Sequence, residues 1–245
     1  MQRFPPLAGL SLAALLAVAG CSSSSPSPSS SPSPSAEADG TTTADDGSRT
    51  YSSEELAAIL DTVTEADGTA LQVLPTDQID QGMDQARRFL ESVVITPEEC
   101  AVFASNTLEV PEDAGYATGV SGAGGDAVQT IVSASSSADA AFFPGRIDAS
   151  SAALQACSSF TVEAQGVVID QTVQDVDAAT DADRSFGNLT LQSSPDGARQ
   201  ETMTVIGTRG SLAVTAVRTA RDALPQGTQD ELQDLIDETL AAAAG

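Results

Sequence analysis

Beyond residue 115 the sequence breaks into seven short β-like runs, at 116–120, 128–134, 160–164, 167–173, 189–192, 202–206 and 212–217. The first two flank Ser121-Gly122-Ala123-Gly124-Gly125-Asp126 and read as a hairpin. Within the last run Leu212, Val214 and Ala216 alternate only partly with Ala213, Thr215 and Val217, as in a strand covered on both faces. Helical patterns bracket these runs. Ser52 with Glu55 forms a capping box ahead of Leu56, Ile59, Leu60 and Val63 at helical spacing. Ile79, Met83, Ala86, Phe89, Leu90 and Val93 predict a second helix over 77–93. Thr96-Pro97-Glu98-Glu99 reads as a helix start, with Thr96 as cap and Pro97 in the first helical position. A longer helical pattern, 137–157, contains Pro144-Gly145 and predicts two pieces or a kink. Thr228 with Glu231 is a second capping box, opening a helix striped by Leu232, Leu235, Ile236 and Leu240. Strands grouped together with helices around them predict an α+β fold with a largely antiparallel sheet, over 51–245.

Residues 1–50 belong to something else. Met1-Gln2-Arg3, the apolar run 7–19 and Gly20-Cys21 have the layout of a secretory signal, too short for a spanning helix, which needs ~20 apolar residues. Val18-Ala19-Gly20-Cys21 resembles the bacterial lipobox, in which the Cys thiol is acylated and becomes the mature N-terminus. We therefore expect a signal peptide over 1–20, lipid (palmitate) on Cys21, and an extracytoplasmic domain held at the cell membrane. Residues 22–35 contain only Ser and Pro, and 36–49 add Ala, Glu, Asp, Gly, Thr, Ser and Arg. Without large apolar side chains nothing offsets the entropy of ordering, so 21–50 reads as a disordered tether, averaging ~30 Å end to end if flexible. Its Ser, Thr and Pro would also accept O-linked sugar.

Composition removes whole classes of function. All 10 basic side chains are Arg, and the chain has no Lys, no His and no Trp. Schiff-base chemistry, Ser-His-Asp and Cys-His sites and His-ligated zinc are excluded. Thirty-five acids leave a net charge of −25, which excludes nucleic-acid binding through the protein's own charge. With Cys21 assigned to lipid, the remaining two of three cysteines, Cys100 and Cys157, form one disulfide pair in an exported chain. A reactive thiol is the alternative, but no basic residue adjoins either Cys in sequence.

Several motifs show a likeness when taken in order: Pro97-Glu98-Glu99-Cys100, Gly115-Tyr116, Ser137-Ala138-Asp139-Ala140-Ala141-Phe142-Phe143, and Gln155-Ala156-Cys157-Ser158-Ser159-Phe160-Thr161-Val162. Together with Arg209-Gly210-Ser211-Leu212-Ala213-Val214 and the closing helix, they resemble the extracellular sensor domain of the actinobacterial serine/threonine kinase PknH over about 97–243. That domain also occurs in kinase-free, lipid-anchored envelope proteins. The resemblance implies an antiparallel sheet flanked by helices around a ligand-receiving cleft. This sequence departs from the family in lacking Trp and a second disulfide. The Cys100–Cys157 pair is the one site feature that carries over.

Other candidates are weaker. Asp175, Asp177, Asp181 and Asp183 offer a candidate Ca²⁺ loop, but they lack the Gly and terminal Glu of an EF-hand, and a solvated acidic loop is the plainer reading. Gly119-Val120-Ser121-Gly122 is out of register for a nucleophile elbow and has no His partner. The Gly-rich loop 121–126 lacks the Lys of a phosphate-binding loop. Arg87-Arg88 reads as a helix's solvent face. The expected function is a non-enzymatic, lipid-anchored domain, without cofactor, that binds or senses a small neutral or apolar ligand or an envelope component. The alternatives are a structural envelope protein that binds wall polymer or a partner protein, and a carboxylate-dependent hydrolase.

Overall fold

The β-like runs pair into one sheet in the computed structural model, which describes residues 49–105, 110, 111, 113–122 and 128–245. Its strands are β1 (Gln72–Val73), β2 (Val94–Thr96), β3 (Gly115–Ser121), β4 (Val128–Ser136), β5 (Ser159–Ala164), β6 (Val167–Val176), β7 (Arg184–Ser193), β8 (Arg199–Arg209) and β9 (Leu212–Arg221). They lie in the order β1-β3-β4-β9-β8-β7-β6-β5-β2, every neighbouring pair antiparallel. The helices are α1 (Ser53–Leu60), α2 (Thr76–Leu90), α3 (Val102–Ser105), α4 (Phe142–Ala156) and α5 (Thr228–Ala244), with a 3₁₀ turn at Glu98–Ala101 before α3. This is the α+β class that the pattern predicts. β5 and β6 are joined by Gln165-Gly166, both at positive φ (51° and 79°), the primed turn whose twist matches a two-residue hairpin.

Alternation divides the core between the two faces of the sheet. On one face α1 and α5 cover β3, β4, β9 and β8. Leu56, Leu60, Leu232, Ile236 and Leu240 meet Ala117, Val132, Ala134, Val205, Val214 and Ala216. The fit leaves no slack at Gly207, where an added Cβ would stand 2.6 Å from Ile236 Cγ2. On the other face, towards the opposite edge of the sheet, Cys100 and Cys157 join Phe160 and Val173, with Ile95, Phe103, Leu154 and Val162 around them. The 3₁₀ turn is linked there to the end of α4 through the Cys100–Cys157 disulfide.

Four local expectations change. The second helix stops at Leu90, because Val94–Thr96 is drawn into the sheet against β5. Thr96 is therefore the last residue of β2 and lies one position before the cap. Pro97 takes the N-cap position, and a 3₁₀ turn follows in place of a regular helix start. α4 is one helix, beginning only at Phe142. Pro144 falls in its first turn, where a missing N–H removes no intrahelical bond. Residues 137–141 form a turn instead, Ser137 Oγ accepting from Asp139 N–H and Asp139 Oδ1 from Ala141 N–H. The Thr228–Glu231 box does not form. Gly227 holds the cap position at φ 85°, the Thr228 hydroxyl donates to Pro225 C=O, and the Glu231 carboxylate binds Arg218. The Ser52–Glu55 box forms as read, Ser52 Oγ accepting from Glu55 N–H and Glu55 from Ser52 N–H.

Candidate groove and its surroundings

The face of β3, β4, β9 and β8 opposite α1 and α5 is not sealed. Registered rows of side chains cross it. One runs Thr118, Ser133, Thr215, Ile206, and the next runs Val120, Ile131, Val217, Thr204. A third holds Gln129, Thr219 and Thr202. All but Val120 are half-buried, and none is charged. Hydroxyls pair across strands, Thr118 Oγ1 with Ser133 Oγ and Thr202 Oγ1 with Thr219 Oγ1, each at 3.1 Å.

Helices wall this floor. α4 packs over β6, β7 and β8, burying Phe143, Ile147 and Ser150. On the other side α2 leaves β1, touches β3, and accepts the Tyr116 hydroxyl on Asp80 Oδ1. That hydrogen bond, and behind it partial burial, raises the Tyr116 pKa above its ordinary value, since the neutral phenol is the form that donates. A hydroxyl-lined floor between two helices can hold an uncharged molecule by hydrogen bonds and aliphatic contact.

The charged clusters lie elsewhere. Arg218, 4 % exposed, points to the α1/α5 face. Its Nε donates to Thr130 Oγ1 (2.9 Å), its Nη2 to Glu65 (3.0 Å) and its Nη1 to Glu231, while the Ser121 hydroxyl donates to Glu65. Among the described residues no buried side-chain nitrogen or oxygen lacks a partner, and the cluster acts as a staple between the sheet, the segment after α1, and α5. Scattered in sequence, these residues gave no local signal. Ser121 of the Gly-Val-Ser-Gly motif is thereby committed to Glu65, in a buried position.

At the end of the sheet where the described residues begin, residues 49–51 are clamped in place. Tyr51 N–H donates to Ser136 Oγ (3.0 Å), Ser211 Oγ bonds Arg49 C=O, and the Tyr51 hydroxyl donates to Ala243 C=O (3.0 Å). Gly115 is required beside this clamp, since a Cβ there would stand 2.1 Å from Tyr51 C=O. A shallow recess of ≈ 20 Å³ between Arg49, Tyr51, Arg209 and Ser211 has room for about one water.

The acidic run is dispersed. Asp175 is in β6 opposite Asn188, Asp177 C=O accepts from Gln229 and Gln233, Asp181 N–H donates to Asp237, and Asp183 accepts from Gly210 N–H. Among the described residues no group of three or more acids or cysteines gathers as a metal site would require. Burial, the largest influence on Asp237, raises its pKa. Arg87 ion-pairs with Asp84 on the exposed side of α2. Cys21 and the Gly-rich residues 123–125 lie outside the described residues.

No family model and no curated protein sequence matches this chain. Its fold does match solved structures. The extracellular domain of PknH from Mycobacterium tuberculosis superposes with a TM-score of 0.51 at 11 % identity, covering 80 % of this chain and 99 % of that one. An uncharacterized protein of Mycobacterium smegmatis, the Rv0999 ortholog, aligns with a TM-score of 0.40 at 17 % identity, over 63 % of this chain and 78 % of that one. The chain thus has a PknH-like extracellular-domain fold, the architecture implied by the resemblance read in its sequence.

Proposed function

We propose that this chain is a cell-envelope lipoprotein, anchored through Cys21, whose extracytoplasmic domain binds an uncharged ligand in the groove of β3, β4, β9 and β8. One observation carries the reading. The same four strands are sealed on one face and open on the other, and the open face is paved with hydroxyl, amide and aliphatic groups, with a charge only at Arg221, the last residue of β9. An extracytoplasmic position is supported by the signal-like leader and by the fold shared with a domain that lies outside the cell. The role is binding and not catalysis, because the floor offers no acid, base or nucleophile activated by a neighbour. A thermal-shift screen of envelope lipids and neutral glycans tests it. A stabilising compound should lose its effect in Thr215→Arg, which places a charge and bulk on the floor. Stabilisation that survives Thr215→Arg would place the ligand elsewhere. For the anchor, Cys21→Ala should leave the membrane fraction or remain unprocessed, because stable attachment takes two acyl chains.

A protein-partner role has its own support. Val94, Val167 and Val168, 59 %, 44 % and 43 % exposed, share the corner where β2 meets the β5–β6 hairpin. Val94→Asp should abolish such a contact without touching ligand binding.

A further inference from the structure

α2 is an amphipathic helix with too little to cover it. Ile79, Met83, Ala86, Phe89 and Leu90 recur at three- and four-residue steps along its 15 residues, yet none of its side chains is buried. The eight-residue α1 of the same protein buries Leu56 and Leu60 completely. A helix of this kind gains most of its stability by burying its apolar stripe.

Topology fixes where α2 runs. The chain leaves β1 at one edge of the nine-stranded sheet and re-enters as β2 at the other. At ~4.8 Å per strand a flat sheet of this size is ~38 Å across. Helix α2 is ~22 Å long, and the short leads at its two ends add ~23 Å at most. The connection has little slack, so α2 crosses the strands instead of following them. The Tyr116–Asp80 hydrogen bond puts it on the groove side, because Tyr116 alternates with the core residue Ala117. Its half-buried stripe therefore passes over the hydroxyl floor.

We propose that α2 is the roof of the groove, and that the ligand is a neutral single-chain amphiphile. This rests on the groove reading above. The uncharged hydroxyl-bearing head would meet Thr118, Ser133 and Thr215, and the acyl chain would complete the burial of Ile79, Met83 and Phe89. Charge selects the neutral head. The three rows supply no cation short of Arg221 at the far end of β9, and on α2 Asp77, Asp80 and Asp84 outnumber Arg88 and the Asp84-paired Arg87, on a chain of net charge −25, which disfavours carboxylate and phosphate heads.

The test uses the full-length chain carrying Cys21→Ala, so that its own lipid does not compete. Three probes are titrated below micelle formation: monododecanoylglycerol, dodecanoate and glycerol. The ester should bind, slow amide exchange over residues 76–90 by at least about tenfold, and bind at least about tenfold more weakly to Met83→Asp. Met83 is only half-buried, so that variant should melt within about 4 °C of the parent. Dodecanoate binding as tightly as the ester would overturn the neutral head. Ester binding that neither protects 76–90 nor responds to Met83→Asp would overturn the roof, and the groove would stand if Thr215→Arg still blocked it. If none of the three probes binds, the amphiphile inference fails. The groove reading fails separately only if stabilising compounds from the wider screen also ignore Thr215→Arg.

Discussion

The two faces of β4 and β9 differ more than any two elements of the molecule. Val132, Val214 and Ala216 are 0 % exposed, while Ile131, Thr215 and Val217, their neighbours in the chain, are half open. The helices repeat the contrast. Eight-residue α1 is anchored through side chains that see no solvent, and 15-residue α2 buries none. Helix length does not decide which layer holds the fold. One sealed face is enough for stability, which leaves the other face free to be shaped for recognition.

Three experiments should break or sharpen that contrast. The largest effect is expected away from both faces' centre, at the disulfide. Replacing Cys100 and Cys157 by Ala frees a loop closed over 57 residues and should lower unfolding free energy by roughly 4 kcal/mol, the upper figure of the chain-entropy model. Denaturant melts of the oxidised parent and the double variant measure it. Next comes a paired test of the faces. Ile236→Ala opens a cavity in the sealed core and should cost about 3 kcal/mol. Ile206→Ala on the groove floor should cost about 1 kcal/mol, because that side chain is only partly buried. Equal losses would mean that the two faces do not differ energetically. Between these two falls Gly207→Ala, whose new Cβ would press on Ile236. Overpacking there should cost about 1–2 kcal/mol, with Ile236 and Ala182 shifting to make room.

Local chemistry was legible in the sequence, and long-range pairing was not. The Ser52–Glu55 box needs only its own four residues, so it formed as read. The Thr228–Glu231 box has the same pattern. It failed because Arg218, brought up by β9 and buried at 4 % exposure, binds the Glu231 carboxylate more strongly than a backbone N–H would. Likewise, helical periodicity running as far as Val93 concealed β2, whose pairing with β5 only the folded chain supplies. The Cys pair could be read by counting, since a bridge needs only two thiols left over in an exported chain. The groove could not. Thr118, Ser133 and Thr215 alternate with core residues just as any solvent-facing strand positions do, and what distinguishes them is α2, placed overhead by two strands of two and three residues.

The smallest predicted effect concerns how α2 is held, and it separates the two faces by pH. Tyr116 donates its hydroxyl to Asp80, and this bond, with some burial, raises its pKa above that of a free tyrosine. In the unfolded chain the phenol ionises near pH ~10. The folded state therefore holds its proton more tightly, and the resulting stabilisation is complete below that pH and is lost as pH rises through the folded pKa. Once ionised, Tyr116 faces the Asp80 carboxylate as a like charge. The chain has only two tyrosines, so a phenolate absorbance titration can follow them, with Tyr116→Phe assigning the Tyr116 step. In that alkaline range protease cleavage within residues 76–90 should rise in the parent while near-ultraviolet dichroism of the sealed core stays unchanged. Tyr116→Phe should show the raised cleavage already at neutral pH, with a melting temperature lowered less than in any variant above. Cleavage that is low in Tyr116→Phe at every pH would show that the sheet holds α2 without this bond, and the contrast between the faces would then be one of packing alone.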